Sequence, residues 1–246
     1  MRIHLIFKIF FLLIFINGCT SNNNYNDEYL NIDDFSDSLI VEDNLNTQRE
    51  SPYSFIALGD SYTIGEGVNE EERWPNQFVD VAYENGVDFD QPMIIAETGW
   101  KTYDLLNAIN QTNFTKKYDY ISLLIGVNNQ FNSRPIDEFE EDLNKLMDEM
   151  KRIKKNDGNI IIISIPDWGY TPFGESNDMS DISEKINLFN SSLSRFATTN
   201  GLKYVDVTEI SRRAINEPDL ITNDNLHPSG IMYLEWAKKI YNIWID

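Results

Sequence analysis

The sequence predicts a three-layer α/β sandwich on a parallel sheet, and three observations point to it. From residue 52 onward, short apolar runs alternate with amphipathic stretches, the order expected of helices laid over such a sheet. One run, IIIISI at Ile160–Ile165, is apolar on both faces, as a strand covered by helices on both sides must be. The stretches between the runs carry residues that start and stop helices.

The first run, Ser54–Leu58, is read as a strand that stops at Gly59-Asp60-Ser61. Pro75 then occupies a first helical position, and Gly86 closes that helix. Met93–Ala96 and Tyr120–Ile125 are the second and third strands. Pro135 opens a longer helix whose stripe of Phe139, Leu143, Leu146, Met147, Met150 and Ile153 recurs at three- and four-residue spacing, with its end placed at Asp157-Gly158. Ile160–Ile165 is the fourth strand. Asp181 with Glu184 reads as a capping box ahead of Ile182, Ile186, Phe189, Leu193 and Phe196. Tyr204–Val207 is the fifth strand, and Ser229–Trp244 a final helix. There is no internal repeat. Crossovers are right-handed, so the loops leaving the strand C-termini share one edge, where ligands of open α/β sheets bind.

The 246 residues suit one sizeable domain or at most two small ones. Hydrophobic residues make up 41 %, which places the chain among globular proteins. With 20 Lys+Arg against 40 Asp+Glu, the formal charge is −20; that argues against nucleic acid as a partner, since phosphate binding needs a basic surface. It argues only weakly against anionic lipid.

Ahead of this pattern, MRIHLIFKIFFLLIFINGCT reads as an export signal spanning residues 1–18, with Arg2 and Lys8 before an apolar Ile9–Ile16. That run is far short of the ~20 residues of a spanning helix. It ends at Ile16-Asn17-Gly18-Cys19, which resembles the lipobox of bacterial lipoproteins. Asn17 departs from it, a smaller residue being usual there. The expectation is an exported, membrane-anchored lipoprotein lipidated at Cys19; the alternative is an ordinary cleaved signal followed by an incidental cysteine. Cys19 is the only cysteine, so no intramolecular disulfide can form. Residues 19–51, rich in Asn, Asp and Ser and acidic, have no sustained periodicity and read as a flexible tether. The alternative is an arm over Tyr29–Leu45. Residues 52–246 are then the folded domain.

A strand ending in a serine on a tight turn can present a nucleophile, although Gly-Asp-Ser is also a common loop tripeptide. A serine hydroxyl needs a general base. Once the leader is removed, His227 is the only histidine. It lies in Asp224-Asn225-Leu226-His227, before the last helix and on the same predicted edge as Ser61. Asp224 can orient its imidazole. Acyl transfer also needs donors for the developing oxyanion; Gly99 after the second strand, Asn128 after the third and the amide of Ser61 are the candidates. Taken alone, each is ordinary turn chemistry. Trp168, Tyr170 and Phe173 in IPDWGYTPFG (165–174) could wall a pocket or pack in the core. One histidine and one cysteine beyond the leader make no zinc site, and there is neither a P-loop nor a dinucleotide Gly-x-Gly-x-x-Gly. No cofactor is expected.

Gly59-Asp60-Ser61, then Gly99, then Gly126-x-Asn128, then Asp224-x-x-His227, in that order over most of the chain, resemble the SGNH hydrolases, the GDSL lipase/esterase family. The resemblance implies a flavodoxin-like α/β/α sandwich with a five-stranded parallel sheet. It implies Ser61 as nucleophile, Asp224 and His227 as acid and base, and Ser61, Gly99 and Asn128 as the oxyanion hole. Two positions depart from the family's pattern. Asn129 stands where an aspartate is usual, and Tyr62 where the name has leucine. The implied activity is hydrolysis of a carboxylic ester, a lysophospholipid or small acyl ester, through an acyl-enzyme. An O-acetylated carbohydrate is the alternative substrate. Two other classes are a flavin-binding module, because flavodoxins share the layering, and a non-catalytic binding module.

Overall fold

The computed structural model describes residues 52–245. The expected leader, Cys19 and the tether lie outside the described residues. At the start, Tyr53 donates its amide to Asp88 and accepts at its carbonyl from Asp90. Its ring packs on Phe89 and Tyr120.

Five parallel strands follow: β1 (Phe55–Gly59), β2 (Met93–Ala96), β3 (Tyr118–Leu124), β4 (Lys154–Ile163) and β5 (Lys203–Val205), in the order β2-β1-β3-β4-β5. The helices are α1 (Ser61–Ile64), α2 (Trp74–Glu84), α3 (Thr102–Gln111), α4 (Val127–Phe131), α5 (Ile136–Ile153), α6 (Pro172–Glu175), α7 (Met179–Thr199), α8 (Thr208–Arg212) and α9 (Gly230–Trp244). α2 packs on α9, whereas α5 packs on α3 and α7. This is the expected α/β sandwich, and its core is continuous from Phe55 to Trp244.

The order reverses at β1: the chain leaves it toward β2 and leaves β3 toward β4. The crevice between the C-terminal ends of β1 and β3 is therefore the topological switch point. Register brings Gly59 level with Ala96 on one side and Leu124 on the other. Ser61, Gly99 and Asn128 thus begin from one line across the sheet, two, three and four residues beyond it.

Several boundaries move from the sequence expectations, each for a local reason. α2 starts one residue early, with Pro75 second in the helix. α5 stops at Ile153, and the stretch expected to finish it, Lys154–Gly158, becomes the irregular entry to β4 with a register shift against Tyr118 and Tyr120. Lys154 Nζ donates to the carbonyls of Lys155, Asn156 and Gly158. A Cβ at Gly158 would come within 2.8 Å of the Tyr118 carbonyl, so that glycine permits close approach to β3 rather than ending a helix. β4 closes at Ile163; beyond it the side chain of Asn190 bonds both the amide and the carbonyl of Ile165, replacing a strand neighbour. α7 begins a turn earlier than expected, because Asp178 caps it by accepting from the Asp181 amide. The final helix is capped by Ser229, where it was expected.

Candidate active site

α1 opens directly on Ser61. Asp60 caps it, its Oδ1 accepting from the Tyr62 amide at 3.1 Å, while its carbonyl accepts from Thr63 and Ile64. None of these bonds uses the amide of Ser61. A Cβ at Gly59 would meet Thr63 Oγ1 at 2.1 Å and the Leu124 carbonyl at 2.5 Å. Only glycine lets the chain turn this tightly against β3.

His227 stands on a hairpin-like loop closed by a bridge between Ile221 and Pro228 and by the Thr222 amide donating to the His227 carbonyl. Asp224 organises the loop. Its Oδ1 accepts from the amides of Leu226 and His227 and from the Thr222 hydroxyl. Its Oδ2 lies 2.6 Å from His227 Nδ1. Burial alone would raise this carboxyl, but the bonds from His227, Thr222 and Leu226 outweigh it and hold the carboxyl down to about 2. An ionised carboxylate only accepts, so Nδ1 carries the proton and Nε2 is left as the basic nitrogen.

Ser61 and His227 line one pocket of about 100 Å³, together with Tyr62, Val127, Asn128, Phe131, Trp168, Phe173 and Leu226. The Tyr62 ring packs 5.6 Å from the imidazole and 6.3 Å from Trp236. Of the aromatics in the 165–174 loop, Trp168 and Phe173 line the pocket. Tyr170 does not; it sits under the Arg212 guanidinium.

Asn128 donates one amide proton to the Trp100 carbonyl at 3.0 Å, and its second amide proton remains for the pocket. Gly99 has φ +86° and open space around its Cβ position. It is not among the pocket-lining residues and joins the site through Trp100. Asn129 fastens the same segment from the other side, accepting from the Thr102 amide and donating to Thr102 Oγ1. That hydroxyl in turn donates to Asp142. The two neighbouring asparagines therefore clamp Trp100 and Thr102, the residues that follow Gly99. An uncharged amide at 129, in place of the usual carboxylate, fits a hydroxyl whose proton is already given to Asp142.

Asp60 is fully buried, and its Oδ2 meets no hydrogen-bond donor among the described residues. Burial raises its carboxyl from an ordinary 3.8 to about 7, against the opposing pull of the amides of Tyr62, Asp60 and Gly126. A raised acid binds its proton more tightly in the folded chain. Its stabilising contribution is therefore complete below pH 4 and is lost as pH rises to about 7. At about 1.4 kcal/mol per tenfold, this is on the order of 4 kcal/mol. Urea midpoints of the wild type relative to Asp60→Asn should thus fall between pH 4 and 8; a constant difference would show that Asp60 does not titrate in this range.

A larger open groove of about 640 Å³ lies along α7, β5 and α8, with Asn187, Arg195, Tyr204 and Arg212 among its walls. Among the described residues its serines have no imidazole beside them, because the one histidine described, His227, lines the smaller pocket. The smaller pocket is the one that brings a serine and the imidazole together.

Residues 57–233 match the model of the GDSL-like lipase/acylhydrolase family. A multidomain esterase of Ruminococcus flavefaciens is 29 % identical over 154 residues, which are 60 % of this chain and 18 % of that protein. This chain thus spans under a fifth of that relative's length. Among solved structures, a lipolytic G-D-S-L family protein from Veillonella parvula is 20 % identical with a TM-score of 0.62, over 78 % of this chain and 98 % of that one. A variant of an acetyl xylan esterase from Geobacillus stearothermophilus is 18 % identical with a TM-score of 0.61, over 78 % and 94 %.

Proposed function

Because the chain belongs to the GDSL-like lipase/acylhydrolase family, we propose that it hydrolyses carboxylic esters with Ser61 as nucleophile. The observation that carries this is the Asp224–His227 pair, 2.6 Å apart, whose imidazole lines the same pocket as Ser61. Ser61 Oγ attacks the ester carbonyl carbon while His227 Nε2 takes its proton. Asp224 holds the tautomer and stabilises the imidazolium. The amide of Ser61 and the second amide proton of Asn128, both residues of the pocket wall, receive the tetrahedral oxyanion; the family resemblance adds the amide of Gly99, which does not line the pocket. Collapse breaks the bond to the alcohol oxygen, which leaves with the proton from His227. Water, deprotonated by the same nitrogen, then releases the acid and restores Ser61.

An O-acetylated saccharide is a second reading of the substrate, favoured by the acetyl xylan esterase among the structural neighbours. Export and lipidation at Cys19 belong to the same proposal; no helix among the described residues is long and apolar enough to cross a membrane.

A fluorophosphonate probe tests the chemistry. It should label the full-length protein at Ser61, in the membrane fraction, and Cys19→Ser should move the labelled protein to the soluble fraction. Folded protein that takes up no label at Ser61 would remove the esterase reading. Labelled Cys19→Ser that stays with membranes would remove the anchor alone.

A further inference from the structure

Resting on the reading of this pocket as the ester site, we propose that Trp168 sets the length of the acyl chain, restricting the enzyme to short acyl groups. The pocket holds about 100 Å³. Small-molecule sites usually hold about 300–1,000 Å³, so this pocket suits only a short acyl group. The acyl group stays on Ser61 after the alcohol has left, so it must fit beside the pocket walls through both halves of the reaction. The alcohol has only to depart.

Trp168 is the wall least able to yield. Its indole Nε1 donates to Gln130 Oε1 at 2.9 Å, both groups being buried. Swinging the ring away would leave two polar groups unpaired. Phe131 and Phe173 brace it at 5.4 and 5.9 Å between ring centroids; these two are 54 % and 39 % exposed and form the mouth. The preceding residue, Asp167, is fully buried and accepts from the Gly169 amide, Ser183 Oγ and Arg212 Nε, which anchors the loop from behind. The indole is therefore a fixed stop rather than a movable cover.

The test is kcat/KM of the full-length protein on p-nitrophenyl acetate, butyrate and octanoate, with methyl and octyl acetate to vary the alcohol instead. The wild type should favour acetate over octanoate by about 100-fold, within the range that pocket methylenes discriminate. Trp168→Ala should raise the octanoate-to-acetate ratio at least tenfold while leaving the ratio of the two alkyl acetates within about twofold. Trp168→Phe, which keeps an aromatic ring but gives up volume and the bond to Gln130, should shift the same ratio less; it serves if the alanine variant fails to fold by circular dichroism. A wild type that takes octanoate as readily as acetate would overturn the proposal. So would an unchanged acyl ratio in a folded, active variant, or a shift in alcohol preference in place of acyl preference. Failure to turn over any ester, with no fluorophosphonate adduct, would instead remove the esterase reading beneath it.

Discussion

Replacing Ser61 or His227 with alanine should lower kcat on a soluble ester by about 10⁴–10⁶, and the double variant should be little worse than either single one. The two act on one proton, so removing the second has nothing left to remove. Multiplicative losses would show that they do not work together. Asp224→Asn should cost nearly as much, about 10⁴. The reason is in the loop: Oδ1 accepts from the amides of Leu226 and His227, so the asparagine oxygen must stay there. Its NH₂ then faces Nδ1 and drives the imidazole proton to Nε2, where it blocks proton transfer from Ser61. Full activity in Asp224→Asn would remove Asp224 from the mechanism.

The second large effect is expected at Asn128. Asn128→Asp replaces an oxyanion donor with a carboxylate and also removes the bond to the Trp100 carbonyl. Losing one such donor typically costs about 10²–10³ in kcat, and the added charge should make the loss at least that large, with KM little changed. Asn129→Asp should behave differently. Its carboxylate would face Thr102 Oγ1, whose one proton is given to Asp142, so the fold should lose about 1–3 kcal/mol while kcat of the folded fraction falls less than in Asn128→Asp. Urea midpoints and kcat separate the two. An Asn128→Asp enzyme within tenfold of wild type would exclude that side chain from the oxyanion hole.

Periodicity carried the layers: the stripe from Phe139 to Ile153 and the run at Ile160 needed no partner to be read. Boundaries were harder, because they depend on contacts distant in sequence. Asp157-Gly158 looked like a helix end, but Gly158 answers to Tyr118 on the next strand. Asp181 looked like a cap, but Asp178 offers the same chemistry one turn earlier. Residue type and order point to Ser61, Asp224 and His227 as candidates, and the structure brings Ser61 and His227 to one pocket and Asp224 to the imidazole. Gln130, Asn129 and Asp60 were missed as functional candidates. The bond of Gln130 to Trp168 spans 38 residues, and Asn129 acts across 27. Asp60 sat in view within the quoted motif, yet its burial without a counter-charge is invisible until the sheet is assembled.

Tyr53, pinned between Asp88 and Asp90, fixes where the chain enters the domain. That point is the N-terminal end of β1, whereas the pocket stands beyond its C-terminal end. Five residues at ~3.3 Å each put roughly 17 Å of strand between them. Whatever precedes Pro52 therefore joins the domain at the end of β1 opposite the pocket, where it leaves the pocket mouth clear.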